Sequence, residues 1–392
     1  MRPSRFWMHS PDPILATNPG CRTDCAARPF HRHLPGYRAT PLHRLRGLAR
    51  RLGLGGLALK DESKRFGLNA FKSLGASYGI YRYVAARWRE STGTALSPSA
   101  FLEGKATEKL GRMTFCTATD GNHGRAVAWT ARITGNDAVI FVPECMVEER
   151  RRHIEHENAE MVIVPGDYDA AVETAAVEAK RRNLHVISDT SWPGYEQIPA
   201  WIAEGYETMF VEIAEATEDE RFPPDVVLLQ CGVGAFPASA VTWFRRRYSI
   251  DSPKIVIVEP LGAACVLAAV MARAGETPID VGDGRTIMAG LNCGTASRIA
   301  LPALCQADAF LAIDDHYTRK AMRTLYHSLP GDPQVISGES GAAGLAGLMA
   351  ILEEAALAPV RTALSIGTGA RVLVVNTEGD TDPRHFREIV LD

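Results

Sequence analysis

MTFCTATDGNHGRAVAWTARITGNDAVIFVP, the sequence of residues 113–143, contains two apolar runs on either side of a segment with helical spacing. Met113–Thr119 predicts a strand, Asn122–Thr134 predicts a helix, and Ala138–Pro143 predicts a second strand. A strand, a helix and a strand in this order form the unit from which parallel sheets are built. The stretch therefore predicts a parallel α/β fold.

The same alternation continues along most of the chain. Apolar runs that predict strands are separated by amphipathic segments that predict helices. Pro-rich segments inside this series predict loops rather than domain linkers. We therefore predict an α/β protein of two domains, each a mainly parallel sheet flanked by helices. The domain prediction assigns residues 1–75 and 195–392 to a larger domain and residues 76–194 to a smaller, mobile one. The later predicted strands are Glu160–Pro165, His185–Asp189, Asp225–Gln230, Lys254–Val258 and Arg371–Val375.

Composition excludes several classes of protein. The 392 residues are 46% hydrophobic and 23% charged, which suffices for two cores, and the formal charge of -3 gives no basic surface for nucleic acid. No apolar run approaches the roughly 18 residues of a membrane span, so we expect no membrane partner. The arginines near the N-terminus are interrupted by prolines and lack the apolar region of a signal peptide.

Cysteine usage points to a reducing compartment. Eight cysteines in a chain of 392 residues form no disulfide framework, and Cys21 with Cys25 is a lone pair without a second pair of metal ligands. We therefore predict a cytoplasmic protein with no bound metal.

Lys72 is the most informative single residue. It lies in KDESKRFGLNAFKSLGAS, residues 60–77, after an Asn-Ala-Phe stretch and at the start of a predicted helix. A lysine amine in an apolar setting can stay unprotonated enough to form an imine with an aldehyde cofactor. An isolated lysine here would more commonly be a solvated helix residue. Two further motifs favour the chemical interpretation.

The first motif is a glycine loop. Gln230-Cys-Gly-Val-Gly-Ala-Phe follows the predicted strand DVVLLQ and precedes a helix, so the amides of Gly232 and Gly234 can approach a phosphate without side-chain obstruction. A dinucleotide fingerprint needs a third glycine where this chain has Pro237, so the loop favours a phosphate over NAD.

The second motif is TATDGNHG, residues 117–124. A Thr-rich strand ends at Asp120, and the turn that follows leads into a helix, which places an amide side chain and helix N–H groups at the carboxyl end of a sheet. An amino-acid carboxylate and a cofactor hydroxyl could both bind there. For Asn122 a helix cap is the competing interpretation, and His123 is more commonly a structural partner.

Eight motifs occur in this order from about residue 35 to the end: KDESKRFGLNAFKSLGA, TDGNHGRAVAW, DTSWPGYEQIPAW, LLQCGVGA, IVEP, IMAGLNCG, ISGESGAAGL and NTEGDTD. They resemble the fold-type-II pyridoxal-phosphate enzymes and, within them, the diaminopropionate ammonia-lyase family. The resemblance implies that the cofactor is pyridoxal 5'-phosphate, that it lies in the interdomain cleft, and that the larger domain binds it.

The resemblance also implies roles for individual residues. Lys72 would carry the cofactor covalently, and Asp120 would be a second base on the opposite ring face, where the wider superfamily commonly has serine. The implied catalytic residues are Lys72, Asp120 and Asp189. The implied cofactor-binding residues are Lys72, Asn122, Gly232, Val233, Gly234, Ala235, Glu339, Asn376 and Thr377. The implied substrate-binding residues are Ser73, Thr119, Asp120, Gly121, His123 and Asp189.

These roles predict an elimination reaction. The implied activity is a carbon–nitrogen lyase that converts D- and L-2,3-diaminopropionate to pyruvate and two ammonia, with a homodimer as the expected assembly. Serine or threonine dehydration, another β-elimination or β-replacement, and cofactor binding without turnover remain open. Whether Asn376 or Thr377 meets the ring nitrogen also remains open, although either would be a neutral partner and would suit elimination better than transamination.

Overall fold

The computed structural model describes residues 2–9, 25–119, 121–166, 168–218 and 224–391. Its strands are β1 Arg5–Met8, β2 Leu42–Arg44, β3 Gly56–Asp61, β4 Thr114–Ala118, β5 Asp137–Pro143, β6 Glu160–Val164, β7 His185–Val186, β8 Val226–Gln230, β9 Lys254–Pro260, β10 Ala309–Ile313 and β11 Arg371–Asn376. Its helices are α1 Ala27–His31, α2 Arg46–Arg51, α3 Lys72–Thr92, α4 Pro98–Leu102, α5 Lys105–Leu110, α6 Asn122–Ile133, α7 Glu148–Glu155, α8 Tyr168–Arg182, α9 Gln197–Glu218, α10 Ala235–Tyr248, α11 Cys265–Arg273, α12 Leu301–Leu304, α13 Asp315–Tyr326, α14 Ala343–Glu353, α15 Ala358–Ala363 and α16 Pro383–Leu391.

The chain divides into two compact units. Unit 1 comprises Met1–Asp24, Ala39–Lys64 and Met209–Asp392, and unit 2 comprises Cys25–Arg38 and Arg65–Thr208. These limits differ from the domain boundaries expected from the sequence, and Lys72 falls in unit 2 rather than with the glycine loop. The functional domain assignment stays a prediction.

The sheet of unit 2 has the strand order β6-β5-β4-β7, and all its neighbouring strands are parallel. The predicted strand–helix–strand from residue 113 to residue 143 is confirmed as β4, α6 and β5. Helix α8 packs on this sheet through Ala171, Ala175 and Ala179, which recur every fourth residue and are buried. The predicted strand His185–Asp189 is shorter than expected, because the chain leaves the sheet after Val186.

The sheet of unit 1 has the order β1-β10-β9-β8-β11-β3-β2. The five central strands are parallel, whereas the edge strands β1 and β2 pair antiparallel with their neighbours. Helix α14 packs against the sheet so closely that a Cβ on Gly347 would lie 2.7 Å from Val258 Cγ2. The α/β prediction with mainly parallel sheets is confirmed, and parallel pairing brings the carboxyl ends of β3, β8 and β11 to one edge.

Among the described residues, no single helix is long and apolar enough to cross a membrane. One bent helix pair, Ala343–Glu353 with Ala355–Ala363, reaches the required length and composition, and its residues contribute to the buried core of unit 1.

Candidate active site

Lys72 and Asp189 form an ion pair in unit 2. Lys72 is the first residue of α3, and its Nζ lies 2.5 Å from Asp189 Oδ2. The side chains are 20% and 9% exposed, so the pair is largely withdrawn from water. Burial alone would raise the pKa of Asp189, but the Lys72 ammonium outweighs burial and holds that pKa at about 2. The structure thus joins two predicted site residues that lie 117 positions apart.

The loop before Lys72 has an unusual backbone. Phe66 and Asn69 both adopt positive φ angles, 51° and 58°, in the left-handed region that non-glycine residues rarely enter. Arg125 Nη1 donates a hydrogen bond of 3.0 Å to the carbonyl oxygen of Leu68 and holds this loop from the side of α6. Such strain persists only where surrounding contacts enforce it, and the strained segment lies directly before the helix that Lys72 begins.

His123 lies at the start of α6, beside the ion pair. Its Nε2 is 2.8 Å from the carbonyl oxygen of Ile187, which can only accept, so Nε2 carries the proton. Its Nδ1 is buried and has no hydrogen-bond partner among the described residues. Burial lowers the pKa of His123, and the nearby Lys72 lowers it further against the opposing effect of Asp189. The neutral ring therefore presents a free acceptor nitrogen. The buried hydroxyl of Ser73 has no partner among the described residues either.

The turn at the start of α6 is built around Thr119. Its Oγ1 accepts hydrogen bonds of 3.0 Å from the backbone N–H of both Gly121 and Gly124. A Cβ on Gly124 would lie 2.2 Å from Thr119 Cγ2, so only glycine fits there. Asn122 is the first helical residue rather than the cap, since Gly121 occupies the cap position. Asp120 lies outside the described residues.

The glycine loop of unit 1 joins β8 to α10. Gly234, with φ 100°, precedes α10, and Ala235 is its first residue. A Cβ on Gly232 would lie 3.1 Å from Cys293 Sγ, and one on Gly234 would lie 2.7 Å from Leu304 Cδ1. Packing and a positive φ angle therefore favour glycine at Gly234, and packing leaves little room for a side chain at Gly232. The carbonyl of Val233 accepts from Ser297 N at 2.7 Å, which anchors the loop.

Asn376 is the last residue of β11 and Thr377 follows it, and the two side chains have different partners. Asn376 Nδ2 donates to Asp61 Oδ1 and to the carbonyl oxygen of Ile336, both at 2.9 Å. Its Oδ1 is buried and has no hydrogen-bond partner in the described part of the chain. Thr377 Oγ1 instead lies 2.8 Å from Gln230 Nε2, next to the glycine loop.

Glu339 pairs with His385, a residue that the sequence did not single out. Glu339 is 2% exposed, and its Oε1 lies 2.6 Å from His385 Nδ1. The hydrogen bond that His385 donates to the Glu339 carboxylate raises the pKa of His385 despite partial burial. The neighbouring Ser340 hydroxyl accepts from Gly290 N at 3.0 Å, so the SGESG turn is tied to the segment that follows α11.

Sequence reasoning missed Gln230 and His385. For Gln230 a local signal existed, because a glutamine closing the apolar strand VVLLQ is a buried polar group that needs partners. His385 gave no such signal, because it lies in an amphipathic C-terminal helix and meets Glu339 only through the tertiary fold.

Comparison with known proteins decides the family. The family model described as pyridoxal-phosphate dependent enzyme matches residues 33–377. The diaminopropionate ammonia-lyase of Salmonella typhimurium is 40% identical over 364 residues, which covers 92% of this chain and 90% of that protein. The chain belongs to the diaminopropionate ammonia-lyase family of pyridoxal-phosphate-dependent enzymes. The resemblance inferred from the motifs is thereby confirmed. The cofactor of this enzyme is pyridoxal phosphate.

Solved structures agree with this assignment. The Escherichia coli diaminopropionate ammonia lyase in complex with an aminoacrylate-PLP azomethine reaction intermediate superposes with a TM-score of 0.85 at 35% identity, covering 99% of this chain and 96% of that chain. The same enzyme in complex with D-serine gives a TM-score of 0.86. In contrast, the biosynthetic L-threonine dehydratase of Mycobacterium bovis is 26% identical over 72% of this chain and 60% of that protein.

Proposed function

We propose that this protein eliminates both amino groups of 2,3-diaminopropionate, of either configuration, to give pyruvate and two ammonia. The observation that carries the proposal is the Lys72–Asp189 pair, in which a lysine amine is held 2.5 Å from a buried, ionised carboxylate. Similarity to diaminopropionate ammonia-lyases at 40% identity supports the substrate, compared with 26% for the threonine dehydratase.

The residues present fit pyridoxal phosphate. The N-terminus of a 14-residue helix, α10, follows two glycines, and the first N–H groups of a helix lack intrahelical partners and attract anions. Buried atoms without hydrogen-bond partners among the described residues, His123 Nδ1 and Asn376 Oδ1, are further groups that a bound ligand could satisfy. Both features suit a phosphorylated, polar cofactor.

We assign the cofactor-holding roles as follows. Lys72 would carry the cofactor covalently, residues 232–235 would bind its phosphate, and Asn122 would reach its ring hydroxyl. Glu339 would face the ring, and Thr377 would meet the ring nitrogen. The chemistry that pyridoxal phosphate supplies when bound is electron withdrawal from the substrate α carbon, which stabilises the charge left there after proton removal.

Proton transfer is the task of the lysine and the two aspartates. The Lys72 amine would remove the α proton of the L isomer, and Asp189 would stabilise the ammonium that results. Asp120 would remove the α proton of the D isomer from the opposite face. A β-amino group leaves as ammonia only if it is protonated, and the Lys72 ammonium can return the proton for that step. Water then hydrolyses the released enamine to pyruvate and the second ammonia.

The substrate-binding roles follow the chemistry of diaminopropionate. Its carboxylate would bind at the turn formed by Thr119, Gly121 and His123, with Ser73 beside Lys72. The second ammonium would lie near Asp120 and Asp189. A serine or threonine dehydratase has no second ammonium to hold, and simple dehydratases more often have a hydroxyl residue where this chain has Asp120.

The stoichiometry of products tests the proposal. Purified enzyme should release two ammonia per pyruvate from D- and L-diaminopropionate, whereas serine dehydration would release one. Higher kcat/KM on serine or threonine than on diaminopropionate would refute the proposed substrate.

The assignment of Lys72 and Asp120 as bases on opposite faces of the cofactor ring has its own test. Asp120→Asn should lower turnover of the D isomer by roughly two to four orders of magnitude, the usual cost of losing a general base, and should affect the L isomer less. Equal losses on both isomers would reject it.

We further propose that the enzyme is a cytoplasmic homodimer. The seven cysteines within the described residues are all free thiols, as is usual in a reducing compartment. Light scattering of the purified protein measures the assembly directly.

A further inference from the structure

Gln230 is buried at the end of β8 and uses its side-chain amide to join three segments. Its Nε2 lies 2.8 Å from the carbonyl oxygen of Val375, 3.1 Å from that of Gly341 and 2.8 Å from Thr377 Oγ1. Carbonyl oxygens only accept hydrogen bonds, so the atom that faces two of them must be the amide nitrogen. This contact pattern fixes which end of the Gln230 side chain carries the donors.

The orientation of Gln230 determines what the Thr377 hydroxyl can do. An amide nitrogen donates hydrogen bonds but does not accept them, so the Thr377 hydroxyl can only accept from Gln230 Nε2. The two amide hydrogens of Gln230 are shared among Thr377 Oγ1 and the carbonyl oxygens of Gly341 and Val375. Within the part of the chain that the structure describes, the Thr377 hydroxyl has no other hydrogen bond. Its proton is therefore available to an acceptor that lies outside the protein.

Asn376, the competing residue, has the opposite character. Both of its amide hydrogens are used, one by Asp61 and one by the carbonyl of Ile336. Only its Oδ1 remains, and an amide oxygen accepts but does not donate. A ring nitrogen that met Asn376 would have to be protonated, whereas one that met Thr377 would have to be unprotonated.

We propose that Gln230 is a positioning residue, which orients the Thr377 hydroxyl as a hydrogen-bond donor toward the cofactor ring nitrogen and so keeps that nitrogen unprotonated. The inference rests on the proposed assignment of Thr377 to the ring nitrogen. An unprotonated ring withdraws electrons less strongly than a protonated one. Weaker electron withdrawal by the ring suits an enzyme that must expel a β substituent. Transamination instead requires the negative charge to be held on the ring.

The first test uses the wild-type holoenzyme. We would load the protein with pyridoxal phosphate labelled with nitrogen-15 in the ring and record the ring-nitrogen chemical shift across the neutral pH range. The expected signal is that of an unprotonated, hydrogen-bonded pyridine nitrogen that does not titrate. A protonated nitrogen in wild type would overturn the inference and favour Asn376. This measurement stands even if no Gln230 variant folds.

The second test is a double-mutant cycle of Gln230→Met and Thr377→Val. Each single change should move the ring-nitrogen signal in the same direction and weaken cofactor binding roughly threefold to tenfold, the usual range for one hydrogen bond. If Gln230 acts through Thr377, adding Gln230→Met to Thr377→Val should leave the ring-nitrogen signal unchanged. Additive shifts would show an independent structural role and refute the proposal.

Thr381→Val is the matched control. Thr381 is a buried threonine four residues beyond Thr377, and its hydroxyl has no hydrogen-bond partner among the described residues. Its removal should leave the ring-nitrogen signal unchanged. The ring nitrogen of the wild type could be unprotonated and depend on Gln230 while the enzyme does not turn over diaminopropionate. That outcome would refute the proposed function and leave this inference intact.

Discussion

The site residues of unit 2 and those of unit 1 differ in electrical character. In unit 2, Lys72 and Asp189 form a buried pair of opposite charges beside the neutral, partly unsatisfied ring of His123. In unit 1, Gln230, Asn376 and the glycine loop offer mainly amide and hydroxyl dipoles. Groups that change charge suit proton transfer, whereas fixed dipoles suit the holding of a cofactor without exchanging protons with it. We therefore propose that the charged groups of unit 2 transfer protons, while the dipoles of unit 1 bind the cofactor non-covalently.

Lys72→Ala tests this division most strongly. Turnover should fall by at least the roughly two to four orders of magnitude that a lost general base costs, because covalent attachment is lost as well. Non-covalent cofactor binding should persist if the dipoles of unit 1 provide it. Steady-state ammonia release and equilibrium dialysis measure the two effects separately.

The exposed Lys64→Ala is the control for Lys72→Ala, and it should retain wild-type turnover. Borohydride reduction of the wild-type holoenzyme, followed by peptide mapping, should find the cofactor on Lys72. Full activity of Lys72→Ala, or a label on another lysine, would contradict the assignment.

Gly234→Ala tests the cofactor side of the comparison. The added Cβ would enter a backbone of φ 100° and lie 2.7 Å from Leu304 Cδ1, so we expect a loss of about 1–3 kcal/mol in the free energy of unfolding of the apoprotein. Cofactor affinity should fall as well, because the loop cannot keep its conformation. Denaturant titration and cofactor titration measure the two losses.

Gly53→Ala separates backbone strain from the clash. Gly53 has φ 70°, but no atom lies within 4 Å of its Cβ position. It should therefore show the strain cost alone. If Gly234→Ala weakens cofactor binding without destabilising the apoprotein, Leu304 moves aside and the glycine serves the phosphate alone.

Asp189→Asn tests the charged pair of unit 2 through pH. Folding lowers the pKa of Asp189 from 3.8 to about 2, so the ionised form favours the folded state. The contribution, about 2 kcal/mol at 1.36 kcal/mol per pKa unit, should be complete above the unfolded pKa of 3.8 and disappear as the pH falls toward 2. Acid titration of apoprotein stability should show this loss in wild type and not in Asp189→Asn. The exposed Asp283→Asn serves as control, and an unchanged acid profile in Asp189→Asn would contradict the pair.

The fold was predictable where the signal was local. The runs that form β4, β5, β8, β9 and β11 are apolar and continuous. A continuous apolar run is enough to predict a strand that is buried on both faces. The edge strands β1 and β2 are only four and three residues long and gave no periodic pattern. The chain leaves β7 at Val186 because the Ser188 amide donates to Tyr195 Oη at 2.8 Å, a contact that no strand pattern contains.

The candidate site was predictable only in part, for a similar reason. Motifs identified Lys72 and the glycine loop because each depends on its neighbours in sequence. The hydrogen bond between Gln230 and Thr377 joins residues 147 positions apart, and that between Asn376 and Asp61 joins residues 315 positions apart. Such contacts depend on which strands become neighbours in the sheet, and strand order is a property of the whole topology.

His385→Gln tests the Glu339–His385 pair of unit 1, and its expected effect is the smallest. The hydrogen bond that His385 donates to Glu339 raises the pKa of His385 above 6.5. Its contribution to the free energy of unfolding is therefore complete below pH 6.5 and is lost as the pH rises through the raised pKa. With 31% of the side chain exposed, solvent screening should keep the effect below about 1 kcal/mol. The wild-type apoprotein should therefore lose slightly more free energy of unfolding than the His385→Gln apoprotein as the pH rises above neutrality. The exposed His33→Gln is the control.

An NMR titration of His385 sharpens the test, because a Glu339 that faces the cofactor ring should give His385 a different pKa in holoenzyme and apoprotein. An identical pKa in both would remove Glu339 from the cofactor site.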